Sequence, residues 1–225
     1  MNQDINTPFG RISPKVSLFP IYYLMFIYGF VYIIPYGKNL IGVSWFDWLR
    51  SEDGPLEWLQ FFEYTLASLF AFRIYLGRKK KKEINSLFWL LIALLSLLVA
   101  GEEISWGERL TGLGIASISE LNVQGETNFH NLPFFHNYLL DPVFEIGCIF
   151  LGWFGWRKFK RIDAFPPKEM SLYFLFVALF YFYFDISWAS TTEQIRNDQE
   201  IFEFLLSTGI FLHCFGNLRK TIKSP

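Results

Sequence analysis

Residues 86–109 read SLFWLLIALLSLLVAGEEISWGER, an apolar run that ends in two adjacent carboxylates. The uninterrupted apolar part ends at Ala100 and is shorter than the about 20 residues that a membrane-spanning helix needs. We therefore expect the helix to carry both Glu102 and Glu103 within the boundary of the membrane. Acidic side chains are costly there and usually mark a function, so the sequence predicts a site at the end of this helix.

The chain as a whole is unusually apolar. Of its 225 residues, 52% are hydrophobic and 20% aromatic, with 27 Phe, which is too apolar for an ordinary soluble domain of this length. It indicates a single polytopic membrane domain over residues 1–225, with membrane lipids as partners. The net charge of -1 gives no reason to expect a nucleic-acid partner.

Six apolar segments recur along the chain, and each is predicted to be a transmembrane helix because lipid supplies no hydrogen-bond partners to an irregular backbone. They cover residues 16–35, 56–76, 86–106, 138–156, 171–190 and 201–218. We expect the first to be a retained span and not a cleaved signal peptide. The predicted fold is an all-α integral membrane protein, a bundle of six transmembrane helices with a structured outer loop between the third and the fourth.

Basic residues are distributed very unevenly between the two sides of these spans. Of the 20 Lys and Arg residues, only Lys38, Arg50, Arg109 and Arg196 fall on one side. The positive-inside rule then places both termini and the loops rich in lysine and arginine in the cytoplasm.

Carboxylates show the opposite bias and lie near the outer ends of five predicted spans. They are Glu57, Glu63, Glu102, Glu103, Asp141, Glu145, Asp185, Glu200 and Glu203. Each carries a burial cost unless it is paired or hydrated, so we expect a shared polar cavity open to the outer face.

The end of the third span holds the first candidate residues. If the helix continues, Glu102, Trp106 and Arg109 lie at i, i+4 and i+7 on one stripe, with Glu103 about 100° away. Arg109 is then either an anion-stabilising group or a salt-bridge partner of Glu102 or Glu103. Trp106 is either an interfacial anchor or a substrate contact.

The following loop contains NVQGETNFHN, residues 122–131, in which polar side chains alternate. They are Asn122, Gln124, Glu126, Asn128 and His130. An extended chain would point all of them one way, whereas a helical turn would pair Glu126 with His130. Both geometries bring a carboxylate and an imidazole together.

These residues define the predicted site. The predicted catalytic residues are Glu102, Glu103, Arg109, Glu126 and His130, and the predicted substrate contacts are Glu63, Trp106, Gln124, Asn131, Asp185 and Glu203. Glu103, Glu126 and His130 also have the ligand types of a divalent zinc, iron or manganese site, although their spacing matches no metal signature. Metal binding, acid–base catalysis without a metal and a purely structural polar network are the three interpretations.

GEEISWGER at 101–109 and NVQGETNFHN at 122–131, with EDGPLEWLQFFEY at 52–64 before them, resemble a family of uncharacterised bacterial integral membrane proteins. Its members carry GEEISWGQR followed by N-x-Q-x-E-x-N-x-H-N, and Glu108 stands where that pattern has Gln. The resemblance covers about residues 52–131 and implies a bacterial inner-membrane location. It implies no particular reaction.

We expect a membrane-embedded hydrolase or transferase that acts on a lipid or lipid-linked substrate at the outer face. One alternative is a proton- or cation-coupled transporter, although acids crowded toward one face and the lack of an internal repeat count against it. Another is a non-catalytic membrane subunit or assembly factor.

Overall fold

The computed structural model describes residues 5–7, 10–33, 39–40, 42–51, 54–83, 85–122, 125–134, 138–183 and 198–223. Within these ranges the chain is helical apart from an antiparallel hairpin of β1 (Ile5–Thr7) and β2 (Gly10–Ile12). The predicted site residues Gln124 and Asp185 lie outside the described residues, as do Arg196 and the last part of the fifth predicted span.

The first half of the chain forms three long helices and one short one. Helix α1 (Pro14–Leu24) continues as a π-helical segment through Met25–Ile33. A short α2 (Val43–Leu49) precedes α3 (Pro55–Lys80), which starts with proline at a position where the missing N–H costs nothing. Helix α4 covers Ser86–Glu103.

The second half of the chain begins with short turns and ends with one long helix. A 3-10 turn at Ser105–Gly107 is followed by two short helices, α5 (Glu108–Thr111) and α6 (Ala116–Ser119). The remaining helical segments are α7 (Leu140–Ile149), a π-helical stretch at Phe150–Phe154, α8 (Gly155–Lys158), a 3-10 turn at Lys168–Met170, α9 (Ser171–Tyr181) and α10 (Gln199–Lys223).

Helices of the described residues overlap all six apolar segments, and three are long and apolar enough to cross a membrane. These three are Pro14–Val31, Ser86–Glu103 and Gln199–Ile222. Helix α3 has the length, at 26 residues, but it is more polar because Glu57, Gln60 and Glu63 fall in its first turns. The fold is that of a helical membrane protein.

The long helices α3 and α10 run parallel, with α4 antiparallel to both. Near their starts Gln60 of α3 bonds to Glu200 of α10, and near their ends Gly77 packs against Thr221. The three helices share an apolar core whose members are almost inaccessible to solvent. It contains Ala67, Ala71, Ile74, Trp89, Ala93 and Cys214.

One end of the bundle gathers the lysine- and arginine-rich segments. Arg78 at the end of α3 pairs with Asp163, with Nη1 2.8 Å from Oδ1, and the Trp89 indole N–H also donates to Asp163, at 3.3 Å. His213 of α10 stacks on Trp89 and lies 3.0 Å from the carbonyl of Ala164. The loop between α8 and α9 is therefore fixed to α3, α4 and α10.

Helix α1 runs from this basic end to the opposite end. The Tyr173 hydroxyl, near the start of α9, donates to the Val16 carbonyl at 2.8 Å. Farther along, the Tyr28 hydroxyl donates to Asp198, just before α10, at 3.1 Å. The start of α1 and the end of α10 therefore lie at the same end of the bundle.

Candidate functional site

Helix α4 ends at Glu103, where the chain turns back on itself. Ser105 and Trp106 have φ values of 47° and 53°, left-handed conformations that are unusual for residues other than glycine. The turn forms where Gly101 leaves room for the indole, since a Cβ at Gly101 would lie 3.0 Å from the Trp106 ring. The predicted continuous helical stripe of Glu102, Trp106 and Arg109 is therefore wrong.

Glu102 holds the connector, residues 104–139, against the end of α4. Its Oε2 accepts the backbone N–H groups of Phe129 at 2.7 Å and His130 at 2.9 Å, and lies 3.1 Å from His130 Nδ1. The Trp106 indole donates to its other oxygen. This buried carboxylate is fully used in fixing the connector.

His130 therefore pairs with Glu102 and not with Glu126, in contrast to both geometries predicted for residues 122–131. Gly125 has a φ of 77°, and the residues after it form successive turns. In residues 125–131 the chain forms neither an extended strand nor a regular helical turn, so their side chains do not share one direction.

Glu126 and Glu108 fix the connector from inside. Glu126 Oε2 accepts from Ser105 Oγ at 2.7 Å and from Asn128 Nδ2 at 2.9 Å. Glu108 Oε2 accepts the Thr127 backbone N–H at 2.6 Å. The Glu108 carboxylate thus replaces a hydrogen bond that the irregular backbone would otherwise make with water, and Glu126 ties together two side chains of the connector.

Arg109 lies between three elements and is largely buried. Its Nη1 is 2.7 Å from Glu57 Oε2 on α3 and donates to the Glu103 carbonyl at 2.8 Å, while Nη2 is 3.2 Å from Glu126. Its salt-bridge partners are thus Glu57 and Glu126 and not the carboxylates of Glu102 or Glu103. A planar guanidinium with several fixed acceptors suits this junction.

A second group of polar side chains, five acids and one glutamine, lies on the bundle side of Arg109 and is called here the acidic interface. Its members are Glu57, Gln60 and Glu63 on α3, Glu103 on α4, and Glu200 and Glu203 on α10.

Most of this interface is hydrogen-bonded across the helices. Gln60 is fully buried and its Nε2 donates to Glu200 Oε2 at 2.8 Å. Glu63 accepts from the hydroxyls of Ser207, at 2.6 Å, and Thr208, at 3.0 Å. These bonds join the polar face of α3, with Gln60 and Glu63 at i and i+3, to that of α10, with Glu200, Glu203 and Ser207 at i, i+3 and i+7.

Glu203 links the acidic interface to α9. Its Oε1 accepts from the Tyr181 hydroxyl and from Gln199 Nε2. Tyr64, which is 3% exposed, lies within electrostatic range of Glu63, Glu103 and Glu203. It therefore occupies the centre of the interface.

Two acceptors in the interface are unused. The half-buried Glu103 carboxylate lies within electrostatic range of Glu57, Glu200 and Glu203, but no described residue donates a hydrogen bond to it. Gln60 Oε1 is buried and likewise has no donor in the described part of the chain. Gln60 Oε1 is thus a fully buried acceptor without a described donor, which is uncommon in folded proteins, whereas the Glu103 carboxylate is only partly buried.

The polar stripe ends inside the bundle. Beyond Glu63 and Thr208 lie the buried apolar residues Ala67, Ala71 and Cys214. Buried polar side chains return farther along α10, at His213 and Asn217. The acidic interface is therefore polar toward one end of the bundle and closed by apolar side chains toward the other.

The structure separates several residues that the sequence grouped together. Glu103, Glu126 and His130 do not form a common ligand set, and within the described ranges no three His, Cys, Asp or Glu side chains are grouped closely enough to hold a metal ion. Asn131 is buried, and Trp106 is half-exposed.

Sequence reasoning included Glu57 and Glu200 among the acids expected to share a cavity, but it gave no individual site role to Glu57, Gln60, Tyr64 or Glu200. Three of them, Glu57, Gln60 and Tyr64, share one face of α3 at i, i+3 and i+7, which is the signal that could have identified them.

The chain matches no protein-family model, no curated protein and no solved structure in the three comparisons made. Its function has to be argued from its own residues.

Proposed function

We propose that this protein is a bacterial inner-membrane enzyme of six spans, with both termini in the cytoplasm, that acts on a lipid or lipid-linked substrate at the outer face. In this proposal Glu103 is the general acid–base of a hydrolase or transferase. The Glu103 carboxylate, which lies among other acids and to which no described residue donates a hydrogen bond, is the observation that carries it.

The proposed topology is supported by the contrast between the two ends of the bundle. Arg78 and the loop between α8 and α9 lie at the basic end, and the positive-inside rule assigns that end to the cytoplasm. Glu103 and the connector then face the outer leaflet.

The role of Glu103 is supported by comparison with its neighbours. Glu102 and Glu126 accept three or more bonds each from connector groups and from Arg109, so we assign them, with Arg109, to positioning the connector. A general acid–base must be able to approach a substrate proton. None of the described residues donates a hydrogen bond to Glu103. Its carboxylate therefore need not break such a bond before it takes a proton from a substrate.

The negative charge of the acidic interface limits the class of substrate that we propose. Its unused groups, Glu103 and Gln60 Oε1, are both acceptors, and Glu57, Glu200 and Glu203 surround them with further carboxylates. Like charges repel strongly in a partly dehydrated site, so an anionic phosphate is disfavoured as the reacting group. A head group that presents hydroxyl or amine donors fits better.

The apolar end of the interface favours an enzyme over a transporter. A proton- or cation-coupled transporter needs a polar path through the bundle. Ala67, Ala71 and Cys214 lie across the continuation of this stripe, which suits a site entered from one face only.

The test is turnover by the purified protein in vesicles of total bacterial lipid, followed by mass spectrometry of the lipids. We expect wild type to convert one lipid class, and Glu103→Gln to lose on the order of 10²–10⁴-fold of the rate, as expected for a general acid–base. Glu120→Gln, a change at an exposed connector acid, is the matched control and should keep the wild-type rate. No turnover by wild type, or an undiminished rate in Glu103→Gln, would contradict the proposal.

A further inference from the structure

The exposed surface of the connector is largely apolar, unlike that of a loop in water. Its outward-facing side chains are large and apolar, with Leu113 79% and Leu121 68% exposed. Among its described residues the exposed large apolar side chains are Trp106, Leu110, Leu113, Ile115, Leu121, Phe129, Phe134, Tyr138 and Leu139. A loop in water would expose polar side chains at most of these positions.

Most charged side chains of the connector are engaged by other protein groups. Glu108 and Glu126 are hydrogen-bonded within the connector, and Arg109 pairs with Glu57 on α3. Glu120 is the single fully exposed acid or base within the described part of residues 104–139. In the sequence, Arg109 is also the only Lys or Arg between Lys82 and Arg157.

The turns of the connector satisfy much of their own backbone. Gly112 N donates to the Glu108 carbonyl at 2.7 Å, and Ile118 N donates to the Ile115 carbonyl at 2.9 Å. The Ile115 N–H donates to Thr127 Oγ1 at 2.7 Å. Internal satisfaction of this kind suits a segment with little access to water.

The length of α4 determines how deep in the membrane the connector begins. Its 18 residues span about 27 Å at about 1.5 Å per residue, slightly less than the about 30 Å of a bilayer's hydrocarbon core. The connector folds back against the end of α4 through Glu102. Its exposed apolar side chains therefore follow directly after a helix that is itself covered with exposed leucines, among them Leu91, Leu94 and Leu98.

We infer that the connector is embedded in the outer lipid leaflet, with Leu110, Leu113, Ile115, Leu121, Phe129 and Phe134 in contact with lipid. The occupant of this surface is lipid and not a partner protein, because the surface follows directly after the exposed leucines of a spanning helix and is almost uncharged. The inference stands whether or not Glu103 is catalytic.

Spin-label accessibility tests this placement in the full chain reconstituted into phosphatidylcholine–phosphatidylglycerol nanodiscs. Nitroxides are attached singly at Leu113→Cys and Leu121→Cys in a background in which the buried Cys148 and Cys214 are replaced by alanine. Leu94→Cys on α4 is the lipid-exposed reference, and Glu83→Cys at the opposite end is the water-exposed reference.

We expect both connector labels to collide with oxygen in preference to a water-soluble nickel complex, shifted toward the Leu94 reference. Values equal to the Glu83 reference would place the connector in water and overturn the inference. Spin–spin broadening between copies, together with protection from both oxygen and nickel, would identify a second copy of the chain as the occupant and would also overturn it. Because these side chains are exposed, the substitutions should leave folding intact, which circular dichroism of each variant checks.

Discussion

Arg109 Nη1 lies 2.7 Å from Glu57 Oε2 and so joins the connector to the first turn of α3. Both side chains are about nine-tenths buried, and removing Arg109 takes away the cation that lies against the buried Glu57 carboxylate. We expect Arg109→Gln to destabilise the protein by about 3–5 kcal/mol, as is typical of a broken buried pair. Thermal unfolding in detergent, followed by circular dichroism, measures the loss.

The control for this prediction is the double variant Glu57→Gln/Arg109→Gln. Because it removes both charges, it should be less destabilised than the sum of the two single variants. Strict additivity of the single effects would show that the two side chains are not coupled.

Glu102 supports a second prediction, which concerns the connector alone. Glu102→Gln cannot accept from Phe129 N, His130 N and the Trp106 indole together, because one of its two terminal atoms becomes a donor. Losing a hydrogen bond to a charged group costs about 1.5–3 kcal/mol. We expect faster hydrogen exchange in residues 125–131, with little change in α3 or α10.

Glu120→Gln is the matched control for Glu102, since Glu120 lies on the same connector with an exposed side chain. Its exchange pattern should match that of wild type. Equal deprotection in both variants would mean that Glu102 does not hold the connector.

The positions of the helices could be predicted from the sequence because they depend on local composition. A run of apolar residues such as 86–100 has few alternatives to a helix in lipid. The acids of the polar stripe, Glu63, Glu200 and Glu203 among them, were also expected to line one shared cavity. The structure adds that the two halves of this stripe face each other.

The geometry after α4 could not be predicted from the sequence. It depends on Trp106 taking a left-handed conformation, which its residue type disfavours and which only the space beside Gly101 permits. That turn redirects Arg109 toward Glu57 and leaves Glu102 to bind His130. A prediction that continues the helix through Arg109 misses both the Arg109–Glu57 pair and the Glu102–His130 contact.

Glu108 gives a third prediction at the one position that departs from the GEEISWGQR pattern. Its carboxylate accepts the Thr127 backbone N–H at 2.6 Å, and a glutamine amide oxygen could accept the same bond. We expect Glu108→Gln to unfold within a few degrees of wild type. Glu108→Leu should be lower by more, because a half-buried N–H loses its acceptor, at a cost of about 1–3 kcal/mol. Identical melting of the two variants would contradict this role.

The contact between α9 and α10 supports the last prediction. A Cβ added at Gly209 would lie 2.7 Å from Tyr173 Cβ, an atom that cannot move without its backbone. Gly209→Ala should therefore cost about 1–3 kcal/mol by overpacking. Gly216 lies on the same helix with no atom within 4 Å of such a Cβ, so Gly216→Ala should keep or slightly raise stability through the helix propensity of alanine, by up to about 1 kcal/mol. Chemical unfolding of both variants in the same detergent measures the difference, and equal losses in the two would be incompatible with close packing of α10 on α9 at Tyr173.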